Sequence, residues 1–165
     1  DVLMDSMDSF ERDPGFDLAI AGKGELSDWL EDRLSSSRAK EHISILGLVS
    51  DSEKRWIYEN SDCIVIPSRF EGLPTVMLEA MHSGTPVIMA DVNGLGAMVE
   101  GHGCGLSVPP EDPHSLARAM TEAANSDPET SSSWGSSGKE ASKEYQWDRV
   151  TDRVLEVYRR VIGNV

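Results

Sequence analysis

Pro67-Ser68-Arg69-Phe70-Glu71-Gly72-Leu73-Pro74-Thr75-Val76-Met77-Leu78-Glu79-Ala80-Met81 is the stretch on which the reading of this chain turns. An apolar run of strand length, Cys63-Ile64-Val65-Ile66, stands just before it, and a helix-like run follows. This order sets Glu71 in a strand-to-helix turn and Glu79 well inside the helix. In an open parallel α/β sheet, ligands bind at the carboxyl ends of the strands. Two ionised carboxylates at such an edge suit a polyhydroxylated ligand, because each oxygen accepts hydrogen bonds from hydroxyls. A helix rises about 1.5 Å per residue, so the step from Glu71 to Glu79 spans on the order of 12 Å.

Outward from this stretch, apolar runs of strand length alternate with segments of helical period. Leu18-Ala19-Ile20-Ala21 reads as a strand ending at Gly22, and Leu26, Trp29, Leu30 and Leu34 fall on one helical face after it. Ile43-Ser44-Ile45-Leu46 is the next strand, and residues from about Glu53 to Asn60 form a short helix. Pro74 suits the first turn of the helix that carries Glu79, where a missing N–H costs nothing. That helix stops near Ser83-Gly84, and Val87-Ile88-Met89 follows as a buried strand.

Beyond the tight loop Asn93-Gly94-Leu95-Gly96 and a helical turn near Met98 and Val99, Leu106-Ser107-Val108 reads as the last strand. Asp112-Pro113 opens a helix carrying Leu116, Ala119, Met120 and Ala123. The serine- and glycine-rich patch Ser131 to Gly138 reads as a mobile loop or a frayed helix. Val150, Val154, Tyr158 and Val161 stripe a closing helix. Strands alternating with helices imply right-handed crossovers and a parallel sheet covered on both sides. The expected fold class is therefore α/β, a Rossmann-like parallel sheet sandwiched by helices.

A chain of 165 residues is long enough for one domain with a core. Its net charge of −14 argues against nucleic acid or an anionic membrane as a partner. Lysines are few, and the acidic surface is that of a protein from a high-salt organism or of an ordinary acidic domain. No run approaches the roughly 20 apolar residues of a membrane span. Cys63 reads as a strand thiol and Cys104 as a loop thiol, without Cys-x-x-Cys spacing. His42, His82, His102 and His114 show no metal-ligand spacing, so no metal is expected.

The run from Pro67 to Val87 resembles the signature of the retaining glycosyltransferases of family 4, the group 1 transferases. Ser68, Glu71, Gly72, Leu78, Glu79, Ala80 and Met81 match it, and Gly84-Thr85-Pro86-Val87 continues the pattern. Ile20-Ala21-Gly22-Lys23-Gly24-Glu25-Leu26 looks like the family's strand and glycine turn. Ile45-Leu46-Gly47-Leu48-Val49 looks like the strand and loop beside the nucleobase, and Trp147 with Tyr158 resembles the aromatic pattern of the terminal helix.

The resemblance implies that residues 1–165 are the donor-binding, C-terminal half of a two-domain GT-B glycosyltransferase. The implied donor is a nucleoside-diphosphate sugar, bound without cofactor or metal, with a hexose passing to an acceptor hydroxyl. Glu71 takes the catalytic position and meets the transferred sugar, while Glu79 holds the ribose hydroxyls. Gly72, Leu73, Pro74 and Thr75 form a helix N-terminus that attracts phosphate. Gly22, Lys23, Leu48 and Val49 complete the donor-binding set, with Lys23 either a cation near phosphate or an exposed loop lysine. The acceptor, a carbohydrate or a lipid-linked glycan, belongs to an N-terminal domain outside this chain. The expected location is the cytoplasm, with peripheral membrane attachment through that domain as a variant.

Two departures from the family pattern stand out. The family domain opens with a strand followed by an Arg and a Lys-Gly pair, and Asp1 begins where that pair would end, so the first strand is expected to be missing. Ala97 stands where many members carry a Glu. Rival readings are a non-catalytic transferase-like α/β module that binds a partner and a sugar-nucleotide epimerase of similar fold.

Overall fold

The computed structural model describes residues 1–11 and 13–163. The order of elements is α1 (Val2–Asp8), β1 (Leu18–Ala21), α2 (Ser27–Ser35), β2 (Ile43–Gly47), α3 (Asp51–Asn60), β3 (Ile64–Ile66), α4 (Thr75–Ser83), β4 (Val87–Ala90), α5 (Leu95–Gly101), β5 (Gly105–Val108), α6 (Pro113–Ala124), α7 (Pro128–Ser142) and α8 (Trp147–Ile162). All strand pairings are parallel. The α/β class and the strand positions agree with the expectation from sequence.

The sheet is in two pieces. β3, β4 and β5 bond in that order, and β1 bonds to β2. Among the described residues no ladder joins the two pieces, so β1 and β3 each present an unpaired edge. The register Ile64↔Val87 and Val87↔Gly105 puts β4 at the centre of the larger piece. All four β4 residues are buried, as a strand covered on both faces requires.

Strand alternation sends β4 side chains into two cores. Val87 and Met89 join Met77, Ala80 and Met81 of α4, Val99 of α5, Tyr58 of α3 and Ala141 of α7. Ile88 and Ala90 face the opposite way, toward Met4 and Met7 of α1 and Leu116, Ala119, Met120 and Ala123 of α6. Leu18 and Ile20 of β1 and Val65 of β3 border this second core. Helices cover both faces only in the larger piece: Ala19 and Ala21 of β1 and Ser44 and Leu46 of β2 are exposed on the other face.

Four local expectations change. α1 was not foreseen, yet its Met4 and Met7 are fully buried. The serine-glycine patch lies inside an ordered helix, α7, begun by Asp127, whose carboxylate accepts from Glu129 and Thr130 N–H. Its small residues are the reason it packs. A Cβ at Gly135 would stand 2.3 Å from the Gly84 carbonyl oxygen, and one at Gly138 would stand 3.4 Å from Cys104 Cβ. Of the α2 stripe, Leu30 and Leu34 reach the core, while Leu26 and Trp29 are exposed. α8 does not close the domain over its stripe: none of its residues is buried, and Val154, Tyr158 and Val161 stay exposed.

Candidate functional site

β3 ends at Ile66, and the chain crosses the strand edge through residues 67–74 before α4 begins at Thr75. Glu71 sits in this loop, half-buried. Ser68 Oγ donates to Glu71 Oε1 at 2.7 Å, which fixes the side chain from its own turn. Asn93 Nδ2 donates to the Glu71 backbone carbonyl at 2.7 Å, tying the loop to the turn after β4. Asn93 has φ 53°, a left-handed conformation that asparagine tolerates better than most residues. Arg69 Nε donates to Glu111 Oε1 at 2.6 Å across to the β5–α6 turn.

Pro74 lies one residue earlier relative to the helix than expected: it is the N-cap of α4, extended at ψ 124°, and Thr75 is the first helical residue. α4 has no side-chain cap. By contrast, Ser50, Asp112 and Asp127 cap α3, α6 and α7 through their side chains. The first-turn N–H groups of a helix have no intrahelical acceptors. At α4, Met77 N–H bonds back to the Pro74 carbonyl at 3.1 Å, which leaves the N–H groups of Thr75 and Val76 at the exposed stretch Gly72, Leu73 and Thr75, with the positive end of the helix dipole behind them.

Glu79 lies one turn into α4, 38% exposed at its side chain. Tyr58 Oη donates to Glu79 Oε2 at 2.8 Å, and Lys54 Nζ donates to Oε1 at 3.1 Å. Burial, and then the bond to Glu79, pushes the Tyr58 phenol above its ordinary value. Neither Tyr58 nor Lys54 was foreseen. Their spacing of four on α3 was readable, but the sequence does not say which helix face meets α4.

The remaining expected residues line other loops at the carboxyl ends of the strands. Gly22, at φ 136°, and Lys23 follow β1, and Lys23 is exposed without an acidic partner among the described residues. Gly22 N–H donates to the Gly47 carbonyl at 2.7 Å, joining this loop to the one after β2. Leu48, 77% exposed, and Val49, half-buried, lie there ahead of the Ser50–Glu53 capping box. The loops after β1, β2 and β3 thus carry every expected site residue except Thr75 and Glu79, which α4 itself supplies.

The arrangement is an open edge. Two depressions, of about 350 and 480 Å³, are lined by His102, Glu140 and Arg149 and by Phe10, His114 and Arg118, and neither includes Glu71 or Glu79 in its lining. No cluster of three or more His, Cys, Asp or Glu is placed to hold a metal ion among the described residues. Nor is any described helix long and apolar enough to cross a membrane.

Residues 1–141 match the family described as "Glycosyl transferases group 1". The chain is 31% identical over 149 residues to an uncharacterised glycosyltransferase of Methanocaldococcus jannaschii, covering 86% of this chain and 36% of that protein. Its fold resembles the sucrose-phosphate synthase of Thermosynechococcus elongatus, with TM-score 0.82 and 24% identity over 99% of this chain and 42% of the other. The Anabaena protein HepE, solved in complex with UDP, aligns with TM-score 0.78 and 20% identity over 96% of this chain and 44% of the other. The chain thus spans less than half the length of each.

Proposed function

Since the chain belongs to the group 1 glycosyl transferases and carries an α/β domain of the GT-B kind, we propose that it binds the donor of a retaining glycosyl transfer. The donor is a nucleoside-diphosphate hexose, and the acceptor site lies in a second domain of the whole protein. What carries this reading is the pair Glu71 and Glu79, placed on either side of an uncapped helix N-terminus. A diphosphate at the α4 N-terminus meets free N–H groups and the helix dipole. From there the nucleoside reaches Glu79, and the sugar ring reaches Glu71. That a fold neighbour was solved with UDP supports a nucleotide as the class of ligand.

In the reaction, the anomeric C–O bond to the diphosphate breaks and a bond to the acceptor hydroxyl oxygen forms. The acceptor's proton leaves on the departing phosphate. This chain contributes position and charge stabilisation rather than a covalent intermediate. Ser68 and Asn93 hold Glu71 at the sugar, the α4 N–H groups receive the charge growing on the leaving group, and Lys23 adds a cation at the neighbouring loop. No metal takes part in this scheme.

The test is calorimetric titration of the full-length protein with UDP, GDP and ADP, followed by transfer assays with the matching sugar nucleotides in EDTA. Binding of one nucleotide, and a product with the donor's anomeric configuration formed in EDTA, is expected. No nucleotide binding, or inversion at the anomeric carbon, overturns the reading. Activity abolished by EDTA and restored by one divalent ion overturns its metal-free part.

A further inference from the structure

Tyr58 and Lys54 grip the same carboxylate, Glu79, but they do so from unlike positions. Both lie on one face of α3, four residues apart. The Tyr58 ring is 7% exposed and packs in the core with Met77, Ala80 and Met81. Its backbone carbonyl accepts from Thr85 Oγ1 at 2.5 Å, in the loop after α4. Tyr58 is therefore fixed at both ends of the residue, by a bond at the main chain and by packing around the ring. Lys54 is 39% exposed and also lies 4.0 Å from Asp51, so its ammonium has two carboxylates to choose between.

An ionised carboxylate offers about four acceptor positions. Tyr58 and Lys54 take one on each oxygen, and the 38% exposure of the Glu79 side chain leaves the others open to a ligand. A glutamate on a helix surface has three rotatable bonds, and orienting it costs side-chain entropy. A rigid phenol bonded to one oxygen removes that cost before any ligand arrives, which is how preorganisation raises affinity.

Resting on the donor-site reading above, the geometry points to Tyr58 as a positioning residue for the donor's ribose. Its hydroxyl holds the Glu79 carboxylate in the orientation that accepts the two ribose hydroxyls. Lys54 is the outer partner, whose bond gives way to a ligand hydroxyl. The rival role for the same bond is structural, a tie between α3 and α4 with no bearing on the ligand.

Ligands with and without the ribose hydroxyls separate the two roles. The full-length protein and its Tyr58→Phe and Lys54→Met variants are titrated with UDP, GDP and ADP and with the 2′,3′-dideoxy form of each. Tyr58→Phe keeps the buried ring and removes one oxygen beside a partly hydrated carboxylate, and circular dichroism checks that the fold survives. For the nucleotide that binds, Tyr58→Phe is expected to weaken affinity on the order of tenfold while leaving the dideoxy form unchanged. Lys54→Met is expected to change both by less than about threefold, as for an exposed ion pair. Equal weakening of both forms, or none in either, overturns the positioning role. If the unaltered protein binds no nucleotide, the donor-site reading fails first and this inference with it. If it binds both forms equally, the ribose contact of Glu79 is wrong although the nucleotide site stands.

Discussion

Asn93 holds the loop of Glu71 by its main chain: Nδ2 donates to the Glu71 carbonyl at 2.7 Å, across the gap between the β3–α4 and β4–α5 turns. The side chain of Glu71 is held separately by Ser68. Position and orientation of this carboxylate thus come from two different loops. Asn93→Gly accepts the left-handed backbone and deletes the bond, while also adding backbone freedom to the loop. Turnover of the full-length protein should fall on the order of tenfold, with donor KM little changed, because a loop misplaced by about 1 Å harms the reacting geometry more than binding. Steady-state rates at saturating and limiting donor measure the split.

The two glutamates should fail in different ways. Glu79→Ala removes charge-assisted bonds to the nucleoside and should weaken donor binding by on the order of 2–3 kcal/mol. Glu71→Ala should depress turnover more than binding, since the sugar is left unheld. Calorimetry paired with initial rates checks both, and full activity in both variants would sink the site assignment.

Gly135 is a point of close approach rather than of flexibility. A Cβ there would meet the Gly84 carbonyl oxygen at 2.3 Å, and that atom is backbone at the end of α4, unable to rotate away. Helix propensity favours Gly135→Ala by about 1 kcal/mol, but overpacking costs about 1–3 kcal/mol, so the clash should win. Gly101, at the end of α5, has nothing within 4 Å of a Cβ. Urea melts should show a lower midpoint for Gly135→Ala and no loss for Gly101→Ala.

Alkaline pH should destabilise the fold. Burial, and then the nearby Asp62 charge, pushes the Cys63 thiol from 9.0 up to about 12, and burial raises Cys104 and Tyr58 as well. A folded-state value above the unfolded one means the folded chain keeps its proton longer. The stability gained is complete below about pH 9 and is lost as pH rises toward about 12. Stability from urea melts should hold steady from about pH 7 to 8.5 and fall above about 9, by about 2 kcal/mol near pH 10.5. Cys63→Ser should flatten that slope, and an unchanged slope would remove Cys63 from the account.

The strands were readable because buried parallel strands are continuous apolar runs, and Val87-Ile88-Met89-Ala90 is one. Both glutamates were placed correctly in loop and helix because Pro74 and Gly84 mark the ends of α4. What escaped depended on partners distant in sequence. The patch Ser131 to Gly138 reads as a mobile loop or a frayed helix because serine and glycine are poor helix formers, yet Gly135 and Gly138 are what let α7 approach α4. The stripe on α8 was read correctly as a stripe, but an apolar face does not reveal what covers it. The Tyr58–Glu79 bond joins two helices whose mutual rotation only packing sets.

The divided sheet bears on how the molecule comes apart. β1 and β2, with α2, touch the larger piece through side chains and through no ladder of main-chain bonds among the described residues. Leu18, Ile20 and Ile43 nevertheless share one core with Ile88, Ala90 and Val65, so packing joins the two pieces. β4, bonded on both sides and buried on both faces, should be the slowest strand to exchange its amide protons. The loops carrying Gly22, Lys23, Leu48 and Val49 belong to the smaller piece, and those carrying Glu71 and Glu79 to the larger. A ligand held by both sets of loops would span the β1–β3 junction and add a tie there beyond the side-chain packing.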